Sequence, residues 1–241
     1  MQRDSGFSRG DMDDESSLVA LKKIGLDPKL DLREYRRRVE VGMAKAALEF
    51  APRRLLSELS LDKIKELHRM IFGEVHNWAG EFRKPTEGVK IGKYHGADSA
   101  RIESELLVTI KQVNWILGRQ LEDTYLREDL APAAAIAHCH VRLERIHPFR
   151  DGNGRSGRLI LTSQVKEAFN SDLVLLDRRA YLAALRSADE GELRPLVNLI
   201  RNGATPTTQD IRDPFRIPPL DSKDLVSSAD IDTQFQYSFL N

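Results

Sequence analysis

A short glycine-rich segment between two apolar helical patterns constrains this chain more than any other feature. It runs from His147 to Arg158 with the sequence HPFRDGNGRSGR. Apolar residues at helical spacing precede it and follow it, which predicts helices over 131–146 and 155–168. The segment is therefore expected to be a tight loop that ends one helix and starts the next.

The residue types in this loop are typical of an anion-binding site. Gly152 and Gly154 allow backbone angles and close approaches that a Cβ would block. The first N–H groups of a helix point outward beside the positive end of its dipole, where anions bind. Arg155 and Arg158 are three residues apart, so we expect them to share one helix face, where two guanidiniums suit a polyphosphate.

Three further residues add chemistry to the loop. Asp151 would repel a phosphate on its own, so it fits better as a ligand of Mg²⁺, which binds one or two carboxylates together with phosphate oxygens. His147 can accept a proton near neutral pH, and Phe149 is expected to anchor the loop in the core. Together these groups indicate phosphoryl or nucleotidyl transfer. The alternative is a glycine-rich helix–turn–helix with arginines on a solvated face.

The loop resembles the signature of the Fic family, whose pattern is H-P-F-x-[D/E]-G-N-G-R-x-x-R. Every fixed position of this pattern is filled between His147 and Arg158. The similarity extends from about residue 61 to about residue 200 and includes a W-A-G-x-F-R segment at 78–83. The resemblance implies an adenylyltransferase that moves AMP from ATP to a Tyr, Thr or Ser hydroxyl of a target protein.

The resemblance also implies a role for each residue of the loop. His147 would be the general base, Asp151 the ligand of Mg²⁺ and Phe149 the structural anchor. The phosphates of ATP would bind to the remaining residues: Gly152, Asn153, Gly154, Arg155 and Arg158. In the family a β-hairpin flap lies near the site, and its edge can pair with a protein substrate. Here that docking edge would consist of Val89, Lys90 and Ile91.

The rest of the sequence predicts an all-α fold, a mainly helical bundle, with this small β-hairpin flap. Strand signals are confined to residues 82–84 and 89–91, around a turn at 85–88. Helical periodicity and capping residues predict further helices over 18–30, 32–50, 61–75, 101–119, 177–187 and 192–201.

The chain divides into three parts by composition. Residues 1–30 are expected to form an N-terminal extension that is partly disordered. Residues 31–203 would form the Fic domain, and residues 204–241 a proline-containing tail.

Composition disfavours several classes of protein. Lys plus Arg and Asp plus Glu both number 37, and zero net charge argues against bulk electrostatic binding to nucleic acid or to a membrane. The single cysteine, Cys139, allows no disulfide framework and is expected to be a small buried residue. The chain has no membrane-spanning apolar run and no signal-peptide pattern at its polar N-terminus, so a cytoplasmic location is expected.

Many Fic enzymes are inhibited by a helix with the pattern [S/T]-x-x-x-E-[G/N], whose Glu pairs with the second arginine of the loop. Three pairs here have the spacing, but no Gly or Asn follows: Ser99 with Glu103, Thr124 with Glu128, and Ser163 with Glu167. The chain thus resembles a Fic toxin whose inhibitory Glu comes from a separate antitoxin and would meet Arg158. The alternatives to such a toxin are an enzyme without an inhibitor and an effector. By analogy with Fic toxins, the targets would be bacterial proteins such as type II topoisomerases.

Other functions stay open at this point. A related Fic enzyme would transfer UMP, phosphocholine or a phosphoryl group, although Doc-type kinases depart from the loop at glycine positions that are intact here. An inactive Fic-fold binding module would be expected to carry a degenerate loop. Nucleic-acid binding by a helix-turn-helix is disfavoured by the neutral charge and by the lack of a basic recognition helix.

Overall fold

The structure, a computed structural model, describes residues 14–50, 54–85, 87–91, 94–119, 130–173 and 178–206. Within these residues the chain is mostly helical, with two short antiparallel strand pairs. The helices are α1 (Asp14–Lys23), α2 (Leu32–Phe50), α3 (Leu61–Phe72), α4 (Ile102–Arg119), α5 (Leu130–Ile146), α6 (Asn153–Phe169), α7 (Arg178–Asp189) and α8 (Arg194–Gly203). The strands are β1 (Lys90–Ile91), β2 (Tyr94–His95), β3 (Ser171–Leu173) and β4 (Ala204–Pro206).

The predicted all-α fold is confirmed, and most helix limits follow from local signals. α2 has the predicted limits, and the Ser60 hydroxyl accepts a hydrogen bond from the Lys63 N–H at the start of α3, as an N-cap does. α1 begins earlier than predicted, and it ends at Lys23 rather than at residue 30 because the chain turns at Gly25, where φ is +92°. None of the described helices is long and apolar enough to cross a membrane.

The strands depart from the prediction. Residues 82–84 form no strand, and Lys90–Ile91 pairs with Tyr94–His95, so the predicted hairpin pairing is wrong. The reason is tertiary: the Arg83 N–H donates to the carbonyl of Pro148 rather than to a neighbouring strand. The pair of β3 with β4 was not predicted either, and it brings residues 204–206 of the expected tail into regular structure. Residues 1–13 of the N-terminal extension and residues 207–241 lie outside the described residues.

The chain divides into two compact units. The first lies within residues 1–53, 58–108 and 142–159, and the second within 54–57, 109–141 and 160–241. Every residue predicted to bind nucleotide, metal or target lies in the first unit.

The second unit has a conventional core. Cys139 is fully buried, and burial raises the pKa of its thiol to about 11, which excludes a role as a nucleophile near neutral pH. Gln164 donates to the carbonyl of Leu55, and the Glu167 carboxylate accepts from the N–H groups of Leu56 and Ser57. The Glu167 carboxylate is thus occupied by hydrogen bonds within this unit, which argues against a role as the inhibitory glutamate.

The first unit is built on the packing of α2 against α3. Buried residues of α2 include Tyr35, Val39 and Phe50, and they face an apolar stripe of α3. The two backbones approach closely at Gly42, where an ideal Cβ would lie 2.3 Å from the carbonyl oxygen of Ile71. This close approach fixes α2 beside α3.

Gly42→Ala tests this approach. Alanine normally stabilises a helix by roughly 0.5–1 kcal/mol relative to glycine, but here its methyl group would overlap the Ile71 backbone. We expect the free energy of unfolding in urea to fall by about 1–3 kcal/mol. Val41→Ala, at a partly exposed position of the same helix, is the control and should change it by less than about 1 kcal/mol. A stabilised Gly42→Ala variant would contradict the close approach.

Candidate active site

The candidate base, His147, directly follows the last residue of α5. Its φ is +51°, an unusual value for a residue with a Cβ, and its N–H still donates to the carbonyl of Leu143. Its Nδ1 lies 3.2 Å from the carbonyl oxygen of Glu144. Because a carbonyl only accepts, Nδ1 carries the proton and Nε2 is left as the acceptor. Burial lowers the pKa of His147, so the ring is neutral at physiological pH.

Arg83 holds His147 in this conformation. Its side chain is buried, and its Nε donates to the carbonyl of His147 at 2.6 Å. Its Nη2 donates to the carbonyls of Ile146 and Ala97, at 3.1 and 2.8 Å, and its Nη1 donates to that of Glu87 at 2.7 Å. Arg83 therefore satisfies carbonyls at the end of α5 that the helix itself cannot satisfy. In the sequence this arginine only supports the match to the family pattern, and its role in holding the loop was not predicted.

Asn153 and Phe149 hold the loop in shape. The side chain of Asn153 accepts from the Phe149 N–H and donates to the Phe149 carbonyl, both at 2.8 Å. The Phe149 ring is buried and stacks on His68 with 3.7 Å between ring centroids. Since the Asn153 amide is consumed by these bonds, the backbone N–H of Asn153 is what it can offer to an anion.

His68 of α3 fixes the carboxylate-bearing part of the loop. Its Nδ1 accepts from the Gly80 N–H, which leaves the proton on Nε2, and Nε2 lies 3.0 Å from the carbonyl oxygen of Asp151. Burial lowers the pKa of His68 to about 4, so this tautomer persists at neutral pH. His68 is a second positioning residue that the sequence analysis did not identify.

The two glycines of the loop serve different purposes. Gly152 has a φ of +80°, and an ideal Cβ there would lie 2.4 Å from the Phe72 ring, so only glycine fits. At Gly154 an ideal Cβ would lie 3.1 Å from Nη1 of Arg158, so the missing Cβ leaves room beside that guanidinium.

The start of α6 presents backbone donors. Arg155 and Ser156 donate their N–H groups to the carbonyl of Gly152. Within the described part of the chain, the N–H groups of Asn153 and Gly154 donate to no backbone carbonyl. Two such donors at the positive end of a helix form the type of site that binds phosphate.

Arg155 is enclosed in a cluster with Asp151 and Tyr35. Its Nη2 lies 2.8 Å from Oδ2 of Asp151, and both of its Nη atoms donate to the Tyr35 hydroxyl at 3.1 Å. The guanidinium also lies over the Phe72 ring, 4.4 Å from its centroid. Tyr35 completes the cluster with a hydrogen bond of 3.3 Å to the same carboxylate oxygen. Tyr35 belongs to α2, and nothing in the loop sequence pointed to it.

The two arginines of the loop therefore have different surroundings, whereas the sequence analysis expected them to act together on one face. Arg155 is 13% exposed and ion-paired, while Arg158 is exposed and lies alongside Gly154. Among the described residues, Arg158 has no hydrogen-bonded or ion-paired partner. Arg158 is thus not held by an ion pair that an incoming anion would have to break.

The surroundings of Asp151 fit a metal ion that is also bound by phosphate oxygens of a ligand. Its side chain is 24% exposed. No group of three or more metal-binding side chains exists among the described residues. A single carboxylate fits Mg²⁺, which keeps several waters and binds phosphate oxygens as well as one or two carboxylates.

The residues predicted to dock a target lie at a strand pair that adjoins the end of α5. The carbonyl of Val89 accepts from the Gly96 N–H at 2.9 Å, and the Ala97 N–H donates to the carbonyl of Ile146 at 3.2 Å. Lys90 and Ile91 pair with β2, as described above. The strand pair is thus tied to the residue that precedes His147, and its role as a docking edge stays a prediction.

A helical domain with this loop between α5 and α6 is a Fic fold. Solved structures of the same fold include the N-terminal Fic domain of a Bep effector protein from Bartonella quintana with bound ADP, at a TM-score of 0.60, 19% identity, and 76% of this chain and 91% of that one. A Fic-1 fragment from C. elegans matches at a TM-score of 0.56, 27% identity, and 84% of this chain and 64% of that one.

The sequence comparisons give the family. Residues 58–164 match the family model described as "Fic/DOC family", so the chain contains a domain of this family. A relative named "Protein adenylyltransferase fic-1" from Caenorhabditis briggsae is 33% identical over 180 residues, which are 72% of this chain and 33% of that protein. "Protein adenylyltransferase Fic" of Drosophila grimshawi is 31% identical over 147 residues, 59% and 28% of the two chains. The chain thus spans about a third of the length of the curated relatives it matches.

Arg83→Lys tests how the base is held. Lysine keeps the positive charge but has no planar fork of donors, so it cannot reach the four carbonyls that Arg83 contacts. We expect the free energy of unfolding in urea to fall by about 2–4 kcal/mol, because several buried carbonyls lose their donor. Arg33→Lys, at an exposed position of α2, is the matched control and should unfold like the wild type. Wild-type stability in Arg83→Lys would show that these bonds do not hold the end of α5.

Proposed function

We propose that the protein transfers AMP from ATP to a Tyr, Thr or Ser hydroxyl of a target protein. The observation that carries this proposal is the distance of 3.2 Å between Nδ1 of His147 and the carbonyl oxygen of Glu144. With the proton on Nδ1 bonded to the Glu144 carbonyl, Nε2 of a neutral imidazole is available to accept a proton. This nitrogen belongs to the residue that follows α5, one short loop before the phosphate-binding start of α6.

The proposed reaction is a single displacement at the α-phosphorus of ATP. The hydroxyl oxygen of the target forms a bond to this phosphorus while the bond from the phosphorus to the α,β-bridging oxygen breaks, and diphosphate leaves. The hydroxyl proton passes to Nε2 of His147. Catalysis then rests on positioning and on charge stabilisation rather than on a covalent enzyme intermediate.

Several groups of the loop are proposed to bind the triphosphate. The N–H groups of Asn153 and Gly154 would donate to phosphate oxygens, with Gly152 shaping the turn that exposes them. Arg158 would bind the terminal phosphates, and Arg155 would add positive charge and hold Asp151 in place. Asp151 would hold Mg²⁺, which when bound would offset charge on the phosphates.

The target is proposed to be a protein, and Val89, Lys90 and Ile91 are proposed to dock it. The names of the curated relatives support protein adenylylation. The strand pair at these residues supports the docking proposal because it is joined to the end of α5 at Ala97.

His147→Ala tests the proposed chemistry. The variant should fold normally but label target proteins from α-³²P-ATP at a rate about 10²–10⁴ times lower than the wild type, since removal of a general base costs about this factor. Glu40→Ala, at an exposed position of α2, is the control and should label normally. Parallel assays with α-labelled UTP and γ-labelled ATP distinguish transfer of UMP and phosphorylation. Full activity of His147→Ala would refute the assignment.

The inhibitor of such an enzyme is proposed to be a separate antitoxin that brings a glutamate to Arg158. In support, Glu103 pairs with Lys65 at 2.9 Å and Glu167 with Leu56 and Ser57, so these two glutamates with the inhibitory spacing are engaged elsewhere. Glu128 lies outside the described residues. Co-expression with a small neighbouring reading frame should reduce growth inhibition and labelling, and the effect should be lost when its glutamate is changed to Gln. If no neighbouring frame reduces them, the antitoxin proposal fails.

A further inference from the structure

Glu144 is a partly buried acidic residue whose side chain has no role in the proposed mechanism. It lies on α5, one turn before His147, and its backbone carbonyl accepts the hydrogen bond from Nδ1 of His147. Within the described part of the chain, its Oε1 is buried and has no hydrogen-bond partner. A buried carboxyl oxygen without a donor is costly and needs an explanation.

The carboxyl group of Glu144 is directed at the start of α6. Its Oε2 lies 3.9 Å from the position that a Cβ of Gly154 would occupy, and Nη1 of Arg158 lies 3.1 Å from the same position. The two side chains thus flank the space that the missing Cβ leaves open, without forming an ion pair. The backbone donors of Asn153 and Gly154 belong to the same helical turn.

The charges around Glu144 are few. Burial raises the pKa of its carboxyl to about 7, and Arg158 of α6 is the group that opposes this shift. The charged and polar groups of α2 and α3 that border the loop, Tyr35 and His68, bind Asp151 and Arg155 instead. The carboxyl of Glu144 therefore exchanges its proton in the range in which the enzyme would work.

We propose that the Glu144 carboxyl is one wall of the phosphate pocket, where its protonated form donates a hydrogen bond to a terminal phosphate and its ionised form competes with that phosphate for Arg158. The proposal rests on the proposed function, because it requires that Arg158 and the start of α6 bind a polyphosphate. It assigns the unpartnered oxygen a ligand and makes Glu144 a binding residue in addition to the role of its backbone.

The proposal predicts a specific pH dependence. Binding of a triphosphate should weaken as the pH rises through 7. Above this pH the Glu144 carboxyl is mostly ionised, so phosphate binding requires either that it takes up a proton or that it gives up its interaction with Arg158. Glu144→Gln resembles the protonated form at every pH and leaves the backbone carbonyl to His147. At about pH 6.5 the variant and the wild type should bind alike, and at about pH 8.5 the variant should bind about tenfold more tightly.

The experiment is isothermal titration calorimetry of the full chain with AMPPNP in the presence of Mg²⁺ at both pH values. Ionisation of the nucleotide affects both proteins equally, so the ratio of their affinities isolates Glu144. Glu40→Gln, at an exposed position of α2, is the matched control and should follow the wild type. In an Arg158→Gln background the effect of Glu144→Gln should shrink, since the competition for the guanidinium has been removed.

The outcomes separate the two proposals. If the wild type binds no AMPPNP at either pH, the proposed function fails. If the wild type binds AMPPNP, but its affinity changes between the two pH values by the same factor as that of Glu144→Gln, Glu144 is not part of the phosphate pocket. Weaker binding by Glu144→Gln at both pH values, with wild-type thermal unfolding, would also overturn the proposal, because it would show that the ionised carboxylate supports binding.

Discussion

The candidate site depends on one buried cation, the guanidinium of Arg83, at the end of α5. A buried guanidinium is costly unless its donors are satisfied, and here they reach four backbone carbonyls, including those of Ile146, the last residue of α5, and His147, the first residue of the loop. These bonds end the helix and hold His147 at a positive φ. The imidazole is therefore oriented mainly by contacts of the His147 backbone, and its Nε2 is available to accept a proton.

The rest of the loop follows the same logic, since most of its polar groups are consumed by its own structure. The Asn153 amide is bonded to Phe149, the carbonyl of Asp151 to His68, and Arg155 to the carboxylate of Asp151. Apart from two buried atoms without a partner, Nε of Arg155 and Oγ of Ser156, the groups that the loop leaves for a ligand include Nε2 of His147, two N–H groups at the start of α6, and Arg158. A site whose remaining donors and acceptors are so few and so firmly supported is pre-organised for one type of ligand.

The helices and the loop could be predicted from the sequence because their signals are local. The prediction failed where a residue contacts partners that are distant in the sequence. The limits of α2 and the cap of α3 follow from periodicity and from Ser60. The hairpin pairing was wrong because Arg83 draws residues 82–84 towards Pro148, a contact between residues 65 positions apart that no local pattern encodes. Tyr35 lies 116 positions from Asp151. Its signal, a tyrosine on the buried face of a helix whose hydroxyl needs a partner, is visible only with the fold in hand.

The cluster of Tyr35, Arg155 and Asp151 reconciles two predicted roles that first look incompatible. A carboxylate for a cation and a guanidinium for an anion neutralise each other when they pair at 2.8 Å. A polyphosphate that carries a divalent cation would supply the cation as a partner for Asp151 and the phosphate as a partner for Arg155. The ion pair could then open without leaving either charge uncompensated. Arg158 has no such ion pair in the described chain, so an anion would reach it without opening one. The two arginines therefore differ in their surroundings, a difference that the sequence pattern, which treats them alike, does not contain.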